Sequence, residues 1–254
     1  MEKDLLKGKT VWVTRPIKQA GALAKLIEQA GGQAFILPVI DIVPNEITGQ
    51  AIQLIQNLDH YQKVIFLSSN AVEYGLNLMG QYWPQWPIGI QWWAVGKATA
   101  GAMRHLGVEA QIPSHGYNSE GLLEMPALTQ VRGQKILIVR GESGRNLLPD
   151  TLLTRGAELA FLEVYKRIPS QPSRAQVQQL TSLVENGRLN SVIVTSIEAL
   201  ENVMALSLTN GLVIRNIPLI VISQRIAAAA SNLGFDTIQV VGSGENNEIV
   251  AGMI

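Results

Sequence analysis

The sequence predicts an α/β fold with parallel sheets, and the first observation behind this prediction is an internal repeat. Residues 8–15 (GKTVWVTR) resemble residues 133–140 (GQKILIVR), and residues 64–71 (VIFLSSNA) resemble residues 192–199 (VIVTSIEA). A third pair of blocks follows in the same order, and the lag stays at about 125–128 residues. That period is about half the chain and far too long for a solenoid. The chain therefore contains a duplicated unit.

The second observation is the local pattern that each block repeats. An apolar run is followed by small or polar residues and then by a helical segment. Residues 11–13 lead in this way to residues 20–30, where Leu23 and Ile27 lie on one helical face. Gly31 then ends the helix, because glycine adopts the left-handed conformation at little cost. The apolar runs are continuous, as in strands that helices cover on both faces. Strands and helices that alternate in this way predict parallel sheets.

Composition excludes several classes of function. Twenty basic residues balance twenty acidic ones, so nothing indicates nucleic-acid binding by counterion release. The absence of cysteine excludes disulfides, iron–sulfur clusters and thiolate metal sites. No stretch approaches ~18 consecutive apolar residues, and residues 1–4 (MEKD) do not begin a signal peptide. We expect a cytoplasmic protein without metal or cofactor that binds neither nucleic acid nor membranes.

Polar residues follow each predicted strand. In parallel α/β sheets ligands bind beyond the carboxyl ends of the strands, where helix N-termini present free N–H groups. The post-strand residues are Thr14-Arg15, Ser68-Ser69-Asn70, Gly96-Lys97-Ala98-Thr99, Arg140-Gly141, Thr195-Ser196 and Ser223-Gln224. Small hydroxyl residues are also common N-caps, so capping is the alternative at each position. Their recurrence after six strands favours a shared polar cleft for an anionic ligand.

The ordered blocks resemble the uroporphyrinogen-III synthase family. The resemblance is carried by VTRP at residues 13–16, FLSSNAV at 66–72, AVGKATA at 94–100 and LEVY at 162–165. Length and block order fit across essentially the whole chain. One block departs from the family pattern, because Arg225 and Ile226 in residues 223–226 (SQRI) stand where a hydroxyl residue is expected. No catalytic threonine is therefore carried over to that block.

The resemblance implies two flavodoxin-like lobes with parallel sheets, joined by a two-stranded linker, with the substrate in the cleft between them. Lobe one is then residues 1–38 and 169–254, and lobe two is residues 43–163. The inter-lobe linkers are residues 39–42 and 164–168. Both linkers lie in extended, proline-marked segments that show no helical pattern.

The resemblance also implies the reaction. The substrate is hydroxymethylbilane, a linear tetrapyrrole with eight carboxylates, and the enzyme is a hydro-lyase of porphyrin and heme biosynthesis. It closes the ring with loss of water and inversion of the terminal pyrrole, without a redox step. The task is largely conformational, because the bilane must be folded so that its substituted carbon reacts. We expect a monomer, and a transient contact with the upstream bilane-forming enzyme is left open.

By the same resemblance Tyr165 assists the departure of hydroxide, with a packing role as the alternative. Arg15 and Arg140 are repeat-equivalent, and each could bind a carboxylate bidentately. A structural ion pair is the alternative for both. The other residues expected to bind substrate are Ser68, Ser69, Lys97, Thr99, Thr195, Ser196 and Ser223.

Two other functions compete with this interpretation. A non-enzymatic sensor with the same two lobes could bind a carboxylated tetrapyrrole without converting it. A nucleotide-dependent α/β enzyme is disfavoured, because Gly242-Ser243-Gly244 lacks the rest of a dinucleotide fingerprint and the helix that should follow.

Overall fold

Strands and helices alternate along residues 4–253, the part of the chain that the computed structural model describes. The strands are β1 (Thr10–Val13), β2 (Gln33–Ile36), β3 (Ile40–Pro44), β4 (Lys63–Phe66), β5 (Gln91–Ala94), β6 (Lys135–Gly141), β7 (Glu158–Pro169), β8 (Leu189–Val194), β9 (Leu219–Val221) and β10 (Ile238–Val240). The helices are α1 (Ile17–Gln29), α2 (Gly49–Gln56), α3 (Ser69–Met79), α4 (Lys97–His105), α5 (Ser119–Glu124), α6 (Pro126–Thr129), α7 (Leu147–Thr154), α8 (Arg174–Glu185), α9 (Ile197–Thr209), α10 (Gln224–Asn232) and α11 (Asn246–Ala251).

The chain forms two compact units, each with one five-stranded sheet. Unit 1 combines the chain up to Asp41 with the chain from Ile168 onward, and unit 2 is Ile42–Arg167. The sheet with the order β10-β9-β8-β1-β2 lies in unit 1. The sheet with the order β3-β7-β6-β4-β5 lies in unit 2, except for the ends of β3 and β7 that extend past the division.

In unit 1 every strand pairs in parallel with its neighbours. Counted in chain order, its strands take the spatial order 2-1-3-4-5, which is the flavodoxin-like arrangement of a doubly wound sheet. The switch point of such a sheet lies between its first and third strands, here β1 and β8. The first strand of the chain is therefore central in a sheet whose other half comes from the C-terminal third.

Unit 2 repeats this arrangement with the segments exchanged. Strands β6 and β7 take the places of β1 and β2, and β4 and β5 take the places of β8 and β9, all in parallel. A parallel bridge from Gln111 to Trp93 lies where the fifth strand would be, and β3 is added beside β7. In each sheet, the two strands at the positions of β1 and β2 therefore come from one sequence repeat. The strands at the positions of β8 and β9 come from the other repeat.

Helices cover both faces of the unit 2 sheet, which explains the continuous apolar runs. Val64 and Phe66 of β4 pack into one buried cluster with residues of α2, α3 and α4. Ile65 packs into a second cluster with residues of α5, α6 and α7. All four residues of β4 are buried, and so are all four of β1. The parallel sheets predicted from these runs are confirmed.

The structure corrects two details of the predictions, the start of α1 and the absence of a helix after Gly244. Helix α1 begins earlier than the predicted segment 20–30, directly after Pro16. Strand β7 runs without a break through residues 164–168, the segment expected to be an extended linker. A helix, α11, does follow Gly244, and its Ile249 and Val250 are buried. The expected glycine stop after α1 is confirmed, because Gly31 has a φ of +85°.

Residues 4–253 contain no helix that is both long enough and apolar enough to cross a membrane. Within the same range, no three histidine, aspartate or glutamate side chains are grouped so that they could hold a metal ion.

Helix α3 lies against the sheet at Gly75, where a Cβ would be 2.7 Å from Val139 Cγ1 and 3.2 Å from Phe66 Cε1. Gly75→Ala should therefore lower the free energy of unfolding by about 1–3 kcal/mol, the usual cost of overpacking. In α4, a Cβ at Gly101 would meet no atom within 4 Å. Gly101→Ala is the matched control and should stabilise by about 0.5–1 kcal/mol. Chemical denaturation measures both, and a Gly75→Ala protein as stable as the wild type would show that α3 can move off the sheet.

Candidate active site

The carboxyl ends of the central strands place the predicted polar residues side by side within each unit. In unit 1, Arg15 follows β1 and Ser196 follows β8, the two strands of the switch point. In unit 2, Gly141 ends β6 and Ser68 follows β4, the equivalent pair. Ligands of doubly wound sheets bind in the crevice outside such a switch point. Each unit therefore offers one candidate binding edge.

Three of the predicted serines cap the helices that leave these edges. Ser68, Ser196 and Ser223 each accept a hydrogen bond through Oγ from the backbone N–H three residues later, at 3.0, 3.0 and 3.4 Å. Capping, the alternative considered from the sequence, is thus present at all three positions. A serine hydroxyl that accepts from an N–H still has its own proton to donate. Each capping serine can therefore still donate its hydroxyl proton to another partner.

A β-bulge determines where Tyr165 points. In the pairing of β6 with β7, Arg140 is opposite Glu163 and Gly141 is opposite Tyr165, so Val164 is the extra residue. In a regular strand Tyr165 would share a face with Glu163, because side chains alternate with a period of two. The bulge instead places Tyr165 in the same buried cluster as Val164. Bulges are common beside active sites, where they redirect a side chain.

Tyr165 is held at the carboxyl ends of β4 and β6. Its side chain is buried, with 5% exposed, and its Oη lies 3.1 Å from Ser68 Oγ. The ring of Tyr74 lies 6.1 Å away between centroids. A Cβ on Gly141 would come within 2.7 Å of the Tyr165 ring, so the phenol lies directly on the backbone at that position. The structure thus brings together Ser68, Gly141 and Tyr165 from the predicted post-strand and site residues, and adds Tyr74, which sequence reasoning missed.

Arg140 lies within β6, which corrects its predicted position after the strand. Its Nε is 3.3 Å from Glu163 Oε1, and its guanidinium lies 5.3 Å from the centroid of the Phe161 ring. Because Glu163 is opposite Arg140 in the register, the two side chains share one face of the sheet. The ion pair named as the alternative for Arg140 is therefore present.

A cavity of about 830 Å³ within unit 2 lies beside Arg140. Four carboxylate side chains and two cationic ones line it: Glu46, Glu142, Asp150 and Glu163, with Arg140 and Lys166. Acidic groups outnumber basic ones, so the lining repels an anionic ligand. Although this cavity is large, its charge makes it a poorer carboxylate site than the ends of β1 and β8.

The partners of Arg15 within residues 4–253 are neutral. One terminal nitrogen donates to Asn246 Oδ1 and the other to Gly244 O, both at 2.7 Å. None of the ion pairs found in the described part of the chain includes Arg15, and its Nε is buried without a hydrogen-bond partner there. Burial lowers the pKa of its guanidinium, although an arginine stays protonated at neutral pH. Arg15 therefore carries a positive charge that no carboxylate among residues 4–253 pairs with in an ion pair.

The start of α4 holds two further predicted residues, Lys97 and Thr99. Gly96 occupies the N-cap position, so no side chain caps this helix. Lys97 Nζ lies 4.5 Å from the centroid of the Tyr117 ring, and a Cβ on Gly96 would be 2.9 Å from Tyr117 Cβ. Thr99 is buried, with 4% exposed. Tyr117, which is 45% exposed at this edge of unit 2, was missed from the sequence because it lies in a loop without a repeat partner.

The remaining predicted residues differ in their accessibility. Ser69 is the first residue of α3 and is exposed. Thr195 is half-buried between the end of β8 and the cap of α9. Both lie at the same edges as the residues described above.

Two solved structures share this fold across nearly the whole chain. A mutant uroporphyrinogen III synthase from Thermus thermophilus superposes with a TM-score of 0.60, covering 96% of this chain and 97% of that chain at 16% identity. The uroporphyrinogen-III synthetase from Helicobacter pylori gives a TM-score of 0.59, covering 97% and 99% at 15% identity. At these identities the likeness establishes the fold.

Sequence comparison establishes the family. The family model described as uroporphyrinogen-III synthase HemD matches residues 21–243. The uroporphyrinogen-III synthase of Salmonella typhimurium is 28% identical over 245 residues, and that of Escherichia coli is 29% identical over 244 residues. Both alignments cover 95% of this chain and 98% of the relative. Because the family match includes both repeats and the edge that holds Ser68, Gly141 and Tyr165, the chain belongs to the uroporphyrinogen-III synthase family, a family of cyclising hydro-lyases.

Proposed function

We propose that the chain converts hydroxymethylbilane to uroporphyrinogen III, with loss of water and inversion of the terminal pyrrole ring. The observation that carries this proposal is the family match over residues 21–243. Alignment across 95% of the chain with enzymes of that name favours turnover over a non-enzymatic sensor. The proposal includes a monomer that works in the cytoplasm, which a chain without cysteine suits.

The proposed general acid is Tyr165. The terminal C–O bond of the bilane breaks, its electron pair leaves with the oxygen, and the phenolic proton of Tyr165 converts the departing hydroxide to water. The positive charge that remains is shared with the pyrrole nitrogen. After the distal pyrrole attacks and the spiro intermediate rearranges, the proton lost from the closed ring returns to the Tyr165 phenolate. Water is then the sole by-product, and the tyrosine is regenerated.

Burial of Tyr165 supports this assignment. With 5% of the residue exposed, Tyr165 packs among apolar side chains of unit 2, and its hydroxyl contacts Ser68 Oγ. A hydrogen bond to the departing oxygen is stronger in such surroundings than in bulk water. The bulge in β7 and the missing side chain at Gly141 fix the position of the phenol. A fixed donor favours the transition state without reorganisation.

The proposed substrate site uses the carboxyl-end edges of both units. We keep the two-lobed arrangement as part of this proposal, with residues 39–42 and 164–168 as linkers and a shared cleft for the bilane. Supporting it are the flavodoxin-like strand order and the two strands, β3 and β7, that extend past the division between the units. The proposed contact residues are Arg15, Ser69, Lys97, Thr99, Arg140, Thr195, Ser196 and Ser223.

Tyr165→Phe should slow formation of the type III isomer about 10–100-fold, at the low end of general-acid effects. The phenylalanine keeps the packing on Gly141 and removes only the proton donor. A coupled assay that supplies hydroxymethylbilane, with chromatographic separation of type I and type III products, measures the rate and the outcome. We expect no shift toward type I beyond spontaneous closure of the bilane. A wild-type rate would reduce Tyr165 to a packing role.

The two repeat-equivalent arginines should differ. Arg15→Gln should raise KM about 10-fold, because a hydrogen bond to a charged group contributes roughly 1.5–3 kcal/mol. Its kcat should change little, since a carboxylate clamp binds ground state and transition state alike. Arg140→Gln should raise KM less, because Glu163 already compensates that charge. Steady-state kinetics on both variants test this difference. An equal rise in KM would show that the Arg140–Glu163 ion pair opens when the substrate binds.

A further inference from the structure

Ser68 connects the start of α3 to the phenol of Tyr165. Its Oγ accepts a hydrogen bond from the Ala71 N–H at 3.0 Å and lies 3.1 Å from Tyr165 Oη. A serine hydroxyl has one proton and two lone pairs. One lone pair is used by the N-cap, so the hydroxyl proton remains available for Tyr165.

The direction of this hydrogen bond decides whether Tyr165 can act as an acid. If the phenol donated to Ser68, its single proton would already be engaged. If Ser68 donates to Oη, the phenolic proton is free to point at a ligand. Acceptance from the Ala71 N–H polarises the Ser68 hydroxyl and makes it a better donor. The cap therefore favours the second arrangement.

We propose that Ser68 is a positioning residue that donates its proton to Tyr165 Oη and so directs the phenolic proton toward the departing hydroxyl of the substrate. This inference rests on the proposed role of Tyr165 and departs from the expectation that Ser68 contacts substrate directly. When the phenol gives up its proton, the hydrogen bond from Ser68 becomes charge-assisted and strengthens. The N-terminus of α3 lies at the same place and favours the negative charge that develops on Oη.

The duplicated half of the chain shows the same cap without the phenol. Ser196 caps α9 as Ser68 caps α3, with the same 3.0 Å hydrogen bond. At the lag of 125 residues that relates the first repeat blocks, the counterpart of Tyr165 is Ile40. The cap therefore needs no tyrosine, and the Ser68–Tyr165 contact is an addition specific to unit 2.

The test is a double-mutant cycle on kcat and KM with hydroxymethylbilane. Ser68→Gly retains most of the capping, since glycine is nearly as favourable as serine at a helix start. It should lower kcat about 10-fold with KM little changed, as expected when a charge-assisted hydrogen bond is lost. In the Tyr165→Phe background the same substitution should cost nothing more. Ser68→Thr, which keeps both the cap and the hydroxyl, should retain most of the wild-type kcat.

Ser173→Ala is the control for cap removal, because Ser173 caps α8 in unit 1 and its hydrogen bonds go to Gln176 of the same capping box. It should lower the melting temperature and leave kcat unchanged. Equal losses from Ser68→Gly in the wild-type and Tyr165→Phe backgrounds would overturn the inference. A rise in KM in both backgrounds would also overturn it, since Ser68 would then bind substrate itself. A wild-type rate for Tyr165→Phe alone would instead show that Tyr165 is not the general acid. Because that variant leaves Ser68 unchanged, this outcome is distinct from failure of the Ser68 inference.

Gly141→Ala supplies an independent second variant. A Cβ there would lie within 2.7 Å of the Tyr165 ring and would displace the phenol from Ser68. The kcat should fall about as far as in Tyr165→Phe, and Ser68→Gly should add nothing to it. Full kcat in a folded Gly141→Ala protein would contradict the positioning that the inference requires.

Discussion

The sheet of unit 1 depends on the pairing of β1 with β8, strands that lie far apart in the chain. The Thr10 N–H donates to Asn190 Oδ1 at 2.7 Å across 180 positions, and Thr14 Oγ1 donates to Ile193 O at 2.6 Å in the buried interior. These two hydrogen bonds fix the two ends of the pair. With β1 in the centre, α1 and β2 have a sheet to pack against, and the loop that carries Arg15 lies at the carboxyl end of β8.

In unit 2 the equivalent pairing, of β6 with β4, positions the residues proposed to act in catalysis. Pairing of β6 with β4 sets Gly141 beside the cap of α3, and the close approach at Gly75 brings that helix onto the sheet. The bulge in β7 then completes the arrangement by placing the phenol over Gly141. Neither a metal nor a nucleophile is needed for the proposed step. The main requirement is that the phenolic proton of Tyr165 points toward the departing hydroxyl of the substrate.

Much of the fold could be predicted, because its signals are local or repeated. Continuous apolar runs such as 64–66 identified buried parallel strands, and the lag between blocks identified the duplication. The site was harder to predict, since its contacts depend on register. A period of two in β7 gives no sign of the extra residue Val164, so the approach of Tyr165 to Ser68 could not be inferred. The pairing of Arg140 with Glu163 also requires the register of β6 against β7. Helix α11 was not predicted because its first residues are polar and only two apolar residues, Ile249 and Val250, are buried in it.

The exchange of segments between the repeats also sets the order in which the chain can fold during its synthesis. Unit 2 is continuous and is complete once Arg167 has left the ribosome. Unit 1 must wait for β8, β9 and β10, although its first two strands are made before unit 2. Domains generally form as units as the chain emerges. Strands β1 and β2 are therefore translated before unit 2 but complete their sheet after it, and until then β1 has unpaired edges that the nascent chain has to keep from pairing elsewhere.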